Sequence, residues 1–130
     1  MPLKICSDHH TKSLLQIFED MEAYDKTKPL WKAKSQAMID LILLIDKTFP
    51  DKDIWAYTSH YRLILVPEDR TFCKCTIIIE SHGLPDYAIN YSLPEDQSPW
   101  PYARMHGSAE NIKEAIKYIE IAMLNSGGWK

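Results

Sequence analysis

A chain of 130 residues, 45% hydrophobic and 25% charged, has the make-up of one globular domain spanning residues 1–130 and not of a disordered segment. At this length roughly two thirds of the unfolded surface can be buried, so a sizeable core needs neither metal nor disulfide. The net charge of −3 argues against nucleic acid as the direct ligand, because phosphate recognition needs a basic surface.

The opening MPLKICSDHH holds no apolar run long enough for a secretory signal. Met38 to Ile45, the most apolar stretch, is interrupted by Asp40 and falls far short of the roughly 20 residues of a bilayer span. The expectation is a cytoplasmic chain with no membrane partner. Cys6, Cys73 and Cys75 are odd in number, and in a reducing compartment they read as reduced thiols.

In residues 11–24, Leu14, Leu15, Phe18, Met21 and Tyr24 recur at spacings of three and four, which predicts a helix with one apolar stripe. Ser7, Asp8 or Thr11 is placed to cap it. Asp25 to Pro29 breaks the pattern, and Pro29 suits the first turn of a second helix. Trp31, Met38, Leu41, Ile42, Ile45 and Phe49 line that helix, and Pro50 ends it.

The period then changes to two. Ile54–Ser59 and Tyr61–Val66 read as strands, with a bulge at Ser59–His60 or as one long bent strand. Pro67 to Thr71 is a turn. Phe72–Ser81 follows as a strand with Cys73, Cys75, Ile77 and Ile79 on one face; burying each isoleucine contributes about 1.5–3 kcal/mol. After a turn at His82–Pro85, Tyr87, Ile89, Tyr91 and Leu93 alternate with Asp86, Ala88, Asn90 and Ser92. Connections this short require antiparallel pairing. Residues 93–107 form a proline-punctuated loop with room for a short edge strand. Ser108 then caps a helix striped by Ile112, Ala115, Ile116, Ile119, Ala122 and Met123 and stopped at Gly127-Gly128. The expected class is α+β: two N-terminal helices, an antiparallel sheet of about four strands and a C-terminal helix, with the helices on one sheet face.

The charge is uneven along the chain. Residues 1–75 balance, whereas residues 76–110 set Glu80, Asp86, Glu95, Asp96 and Glu110 against Arg104 alone. A local acidic patch steers association with a basic partner; the plainer alternative is a solvated acidic loop.

Enzymatic readings are thin. Glu80, His82 and Asp86 can be drawn as an acid–base or metal cluster, but such residues at a turn are usually only solvated. Cys73-Lys-Cys75 lacks further metal ligands, and buried core thiols are the simpler reading. There is no GxSxG, P-loop, GxGxxG or HExxH pattern. The expectation is no catalysis, no cofactor and no metal.

Binding readings are richer. Trp55 and Tyr57 follow Asp51 and Asp53, Glu95 and Asp96 precede Trp100 and Tyr102, Asp86 lies in a turn, and Trp129 is near the C-terminus. Rings beside carboxylates supply desolvated area and a counter-charge for Lys or Arg across an interface. The competing role for the same rings is to pin loops to the core. The partner-binding set expected is Asp53, Trp55, Tyr57, Asp86, Glu95, Asp96, Trp100 and Tyr102.

From Cys75 to Trp129 the chain runs through an apolar strand into E-S-H-G-L-P-D-Y-x-I-x-Y, then a W-P-Y loop, then a helix ending A-M-L-N-S-G-G-W. This pattern resembles small bacterial immunity proteins, in particular those paired with contact-dependent growth-inhibition toxins. The resemblance implies a cytoplasmic inhibitor that binds one cognate toxin domain, often a nuclease, and covers its active site. Two other readings stand beside it: a metal- or thiol-dependent enzyme using Cys73, Cys75 and His82, and an adaptor domain of a larger bacterial assembly.

Overall fold

The chain forms β1 (Leu3–Ile5), α1 (Leu14–Tyr24), α2 (Pro29–Thr48), β2 (Ile54–Ser59), β3 (Arg62–Val66), β4 (Ile77–Ser81), β5 (Tyr87–Ser92), β6 (Arg104–Ala109) and α3 (Ile112–Ser126). The computed structural model describes residues 3–7, 13–24, 29–59, 62–71, 73–81 and 86–129, without the side chains of 21–24 and 29–32. Asp8, Thr11 and His82, and the side chains of Met21, Tyr24 and Trp31, therefore lie outside the described set.

The fold is α+β, but the sheet has six strands in the order β1-β2-β3-β4-β5-β6 where about four were expected. β2 to β6 form the antiparallel meander that short connections dictate. The added strand β1 precedes both N-terminal helices and pairs parallel with β2, Leu3 opposite Ile54 and Ile5 opposite Ala56, so the sheet is mixed. A parallel pair needs a long crossover, and α1 with α2 supplies it. β1 is too short to show a period, and it is secured from a distance: Leu3 N–H donates to the Asp46 carboxylate of α2 at 3.0 Å, and Cys6 N–H to the Ala56 carbonyl at 2.8 Å.

All three helices pack on one face. Phe18, Met38, Ile42, Ile45, Ile119 and Met123 meet Ile54, Leu63, Leu65, Ile77, Ile79 and Ile89 in a single core. The caps differ from the expected ones. Ser13, not Ser7, caps α1 by accepting from Gln16 N–H at 3.2 Å. Asn111, not Ser108, caps α3 by accepting from Glu114 N–H at 2.9 Å, because Ser108 is drawn into β6. Gly127 closes α3 in the left-handed conformation, φ 85°, as a C-terminal glycine should.

Opposite the helices lies a second, smaller cluster of Cys6, Ile64 and Val66, with Trp55, Tyr57, Cys73 and Ile78 against it. The β3–β4 connection turns back over this face, because Asp69 accepts from both Ser7 N–H and Ser7 Oγ–H at 2.7 Å each.

Candidate partner-binding surface

Strand directions sort the candidate residues. β2, β4 and β6 start where β3 and β5 finish. Asp53 and the 93–103 loop therefore share one end of the sheet, together with the 67–76 connection. Asp86 precedes β5 and sits at the opposite end, about 20 Å away at ~3.3 Å per strand residue. The β5–β6 register carries Glu110 to that far end as well, whereas Glu80 forms an ion pair with Arg62 at 2.9 Å. A single acidic segment in sequence thus becomes two separated acidic places and one neutralised carboxylate.

The 93–103 loop is the most outward-facing of these features. Leu93 N–H donates to the Ala103 carbonyl at 3.1 Å and closes its base. Pro94 opens a 3-10 turn over Glu95–Gln97, with Gln97 N–H on the Pro94 carbonyl at 3.0 Å and Ser98 Oγ–H on the same oxygen at 2.9 Å. Pro99 and Pro101 stiffen the remainder. With its base tied and Ala103 buried, the loop turns its rings outward: Trp100 is 67% exposed and Tyr102 99%. Tyr102 also holds φ 63°, a left-handed backbone that costs a non-glycine residue about 1–2 kcal/mol. Glu95 and Asp96 are exposed beside them. Lys74 approaches Glu95 at 3.8 Å, but both side chains are more than nine-tenths exposed, and such pairs contribute at most about 1 kcal/mol and weaken with salt.

The rings and backbone of the Asp53 group are engaged within the chain, while the Asp53 carboxylate itself stays 83% exposed. The Asp53 carboxylate takes Lys4 Nζ at 3.3 Å, and its carbonyl accepts Trp129 Nε1–H at 3.0 Å. Lys4 stands opposite Trp55 in the β1–β2 register, which sets its ammonium 4.9 Å over the indole ring. Trp55 and Tyr57 are half-buried against the Cys6–Ile64–Val66 cluster. Trp129 is buried at 7% exposure, so it anchors the C-terminal segment instead of facing a partner.

The two neighbouring thiols do not share a face, contrary to the alternation read from Phe72–Ser81. The strand begins only at Ile77, and the preceding residues turn. The Cys73 thiol donates to the Arg70 carbonyl at 3.4 Å beside the small cluster, while the Cys75 thiol donates to the Ser126 carbonyl at 3.3 Å at the end of α3. No three His, Cys, Asp or Glu side chains among the described residues converge as a metal site.

Two groups carry structure that no local pattern announced. Arg104 lies across the open sheet face. Its Nε–H donates to Asn90 Oδ1 at 2.6 Å, and its terminal nitrogens to Thr76 Oγ1 at 2.8 Å and the Thr76 carbonyl at 3.0 Å. Burial pushes its pKa down, with Tyr57 opposing, and one cation joins β6 to β5 and to Thr76 just before β4. Asp69 is the other: the Ser7 hydroxyl, and then the Ser7 amide, hold its carboxyl below the usual range. Comparison with protein-family models, curated proteins and solved structures found no match.

Proposed function

We propose that this chain is an immunity protein that binds and neutralises a cognate bacterial toxin domain, a nuclease, by laying the 93–103 loop over its active-site surface. The observation that carries this reading is the pairing of two exposed rings, Trp100 and Tyr102, with the carboxylates of Glu95 and Asp96 on a loop closed at its base. Exposed aromatics on a stiff support lose little conformational entropy on docking and supply the area from which hot spots are made. The carboxylates add attraction to the basic surface with which a nuclease holds its substrate, and close charge pairs in complexes of this kind couple with roughly 1.5–7 kcal/mol. Specificity among toxins then follows from which bases meet Glu95 and Asp96 and from clashes with the wrong partner.

The experiment is co-expression with the toxin domain encoded immediately upstream. Survival at a dose that otherwise kills, with co-elution on gel filtration, is the expected result. Continued killing at matched dose, with the two proteins eluting separately, defeats the proposal.

A further inference from the structure

β6 is the last strand of the sheet, and among the described residues no strand pairs with its outer edge. The Leu93–Ala103 bond marks one hydrogen-bonded pair, and pairs of an antiparallel ladder alternate. Met105, Gly107 and Ala109 accordingly bond inward to Tyr91, Ile89 and Tyr87. Arg104, His106 and Ser108 turn their N–H and C=O groups away from β5. Lone proteins guard such an edge with lysines, prolines or inward-pointing charge. β6 has no lysine and no proline, and the charge of its one arginine is spent on Asn90 and Thr76.

Apolar side chains gather along the same edge. Met105, opposite Tyr91 and hence on the helix side, is 49% exposed. Tyr118 of α3 stands over Gly107, where an added Cβ would come within 3.2 Å of the ring. Ile121, three residues on and therefore on the same flank of the helix, is 47% exposed, and Leu124 is 65% exposed one further step along.

We infer that β6 pairs with β6 of a second copy, antiparallel about a two-fold axis through His106. That register is self-complementary. Arg104 meets Ser108 of the other copy, so every outward N–H and C=O of Arg104, His106 and Ser108 finds a partner. Met105 falls opposite Gly107 of the other copy, a side chain against a position that has none, with the ring of Tyr118 beside it for the thioether to contact. The pairing itself selects a second copy: the only charge within β6 is Arg104, which falls opposite Ser108, so no like charges face each other along the two strands, and Met105 finds a side-chain-free position on another β6. The two α3 helices then lie side by side over a continuous sheet and cover Ile121. The symmetry sends the two 93–103 loops to opposite ends of the dimer, so the inference does not depend on the toxin-binding reading.

The test uses the full chain alone, by light scattering and amide hydrogen exchange from micromolar to millimolar concentration. The expected mass moves from 15.1 kDa to twice that value. The amides of His106 and Ser108 gain protection as it does, while that of Gly107, bonded to β5 throughout, does not. Met105→Lys and His106→Pro each weaken association at least about tenfold, the proline acting on an outward N–H that the monomer does not use. Leu43→Lys, on an exposed position of α2, leaves it unchanged. A single-chain mass at every concentration overturns the inference and leaves the edge for a strand of some other protein. So does a dimer that survives Met105→Lys, or one in which the His106 and Ser108 amides exchange at the monomer rate. Should His106→Pro fail to fold, Met105→Lys and the exchange rates decide.

Discussion

Tyr102 sets its backbone against its own side chain. At φ 63° it has a conformation that glycine adopts without strain, yet the residue is a tyrosine exposed at 99%. The protein gains nothing internal from that ring, so stability and binding should separate. Tyr102→Gly is expected to leave the urea midpoint unchanged or to raise stability by up to about 1 kcal/mol. In the proposed complex the same change costs about 2 kcal/mol or more of affinity, read by titration calorimetry. A clear loss of stability would mean that the ring is structural. Glu95 and Asp96 act through charge at a distance. Reversing both to lysine should slow association with the toxin domain and flatten its salt dependence, with little effect on melting. An unchanged association rate at low salt would remove these carboxylates from the interface.

At the level of elements, the open sheet face is held by single polar side chains that join strands. Arg104 ties β6 to β5 and to Thr76 at the approach to β4, so Arg104→Leu should cost on the order of 2 kcal/mol in denaturant unfolding. Arg104→Lys should not restore it, since an ammonium cannot reach Asn90 and Thr76 as a fork. Asp69 fixes the β3–β4 connection onto Ser7, just past β1, in a pH-dependent way. Its folded pKa is depressed by the two Ser7 bonds, so the clamp contributes in full above the ordinary carboxyl pKa of about 3.9. The contribution is lost as pH falls through the lowered folded value. NMR titration of the Asp69 carboxyl should show the depressed pKa, and Ser7→Ala should raise it towards the ordinary one. An Asp69 pKa indifferent to Ser7→Ala would exclude the clamp.

Across the whole molecule, the C-terminal segment closes the end of the sheet from which the 93–103 loop projects. Gly128 passes so near the β3–β4 connection that a Cβ there would lie 2.9 Å from Cys75 Cβ and 3.1 Å from Pro67 Cγ. Trp129 then buries its ring and donates to the Asp53 carbonyl. Trp129→Ala is therefore expected to cost about 3–5 kcal/mol by chemical unfolding, as removal of a buried aromatic does. The helices and the strands between Ile54 and Ser92 were legible in residue order, except that the strand read over Phe72–Ser81 begins only at Ile77. Their apolar stripes and alternation are properties of neighbours within a few positions, and the short turns between strands permit only antiparallel pairing. The sequence also marked a loop over residues 93–107, because carboxylates, prolines and rings stand together in it, though its last four residues belong to β6.

What residue order could not carry were the contacts between distant segments. β1 is three residues long and exists by pairing with β2 about fifty positions later; β6 includes a glycine and little β-branched character, and it forms because β5 offers it an edge. The same folding divides one acidic stretch between two ends of the sheet, turns Cys73 and Cys75 to different sides, and gives Trp129 and Asp53 to each other. By itself, then, the sequence determined the three helices, the core of the meander from Ile54 to Ser92 and the kind of loop that follows Leu93. Only the tertiary structure decided which charges and rings stay outside, because burial and ion pairing depend on which segments meet, and that is settled by packing and not by periodicity.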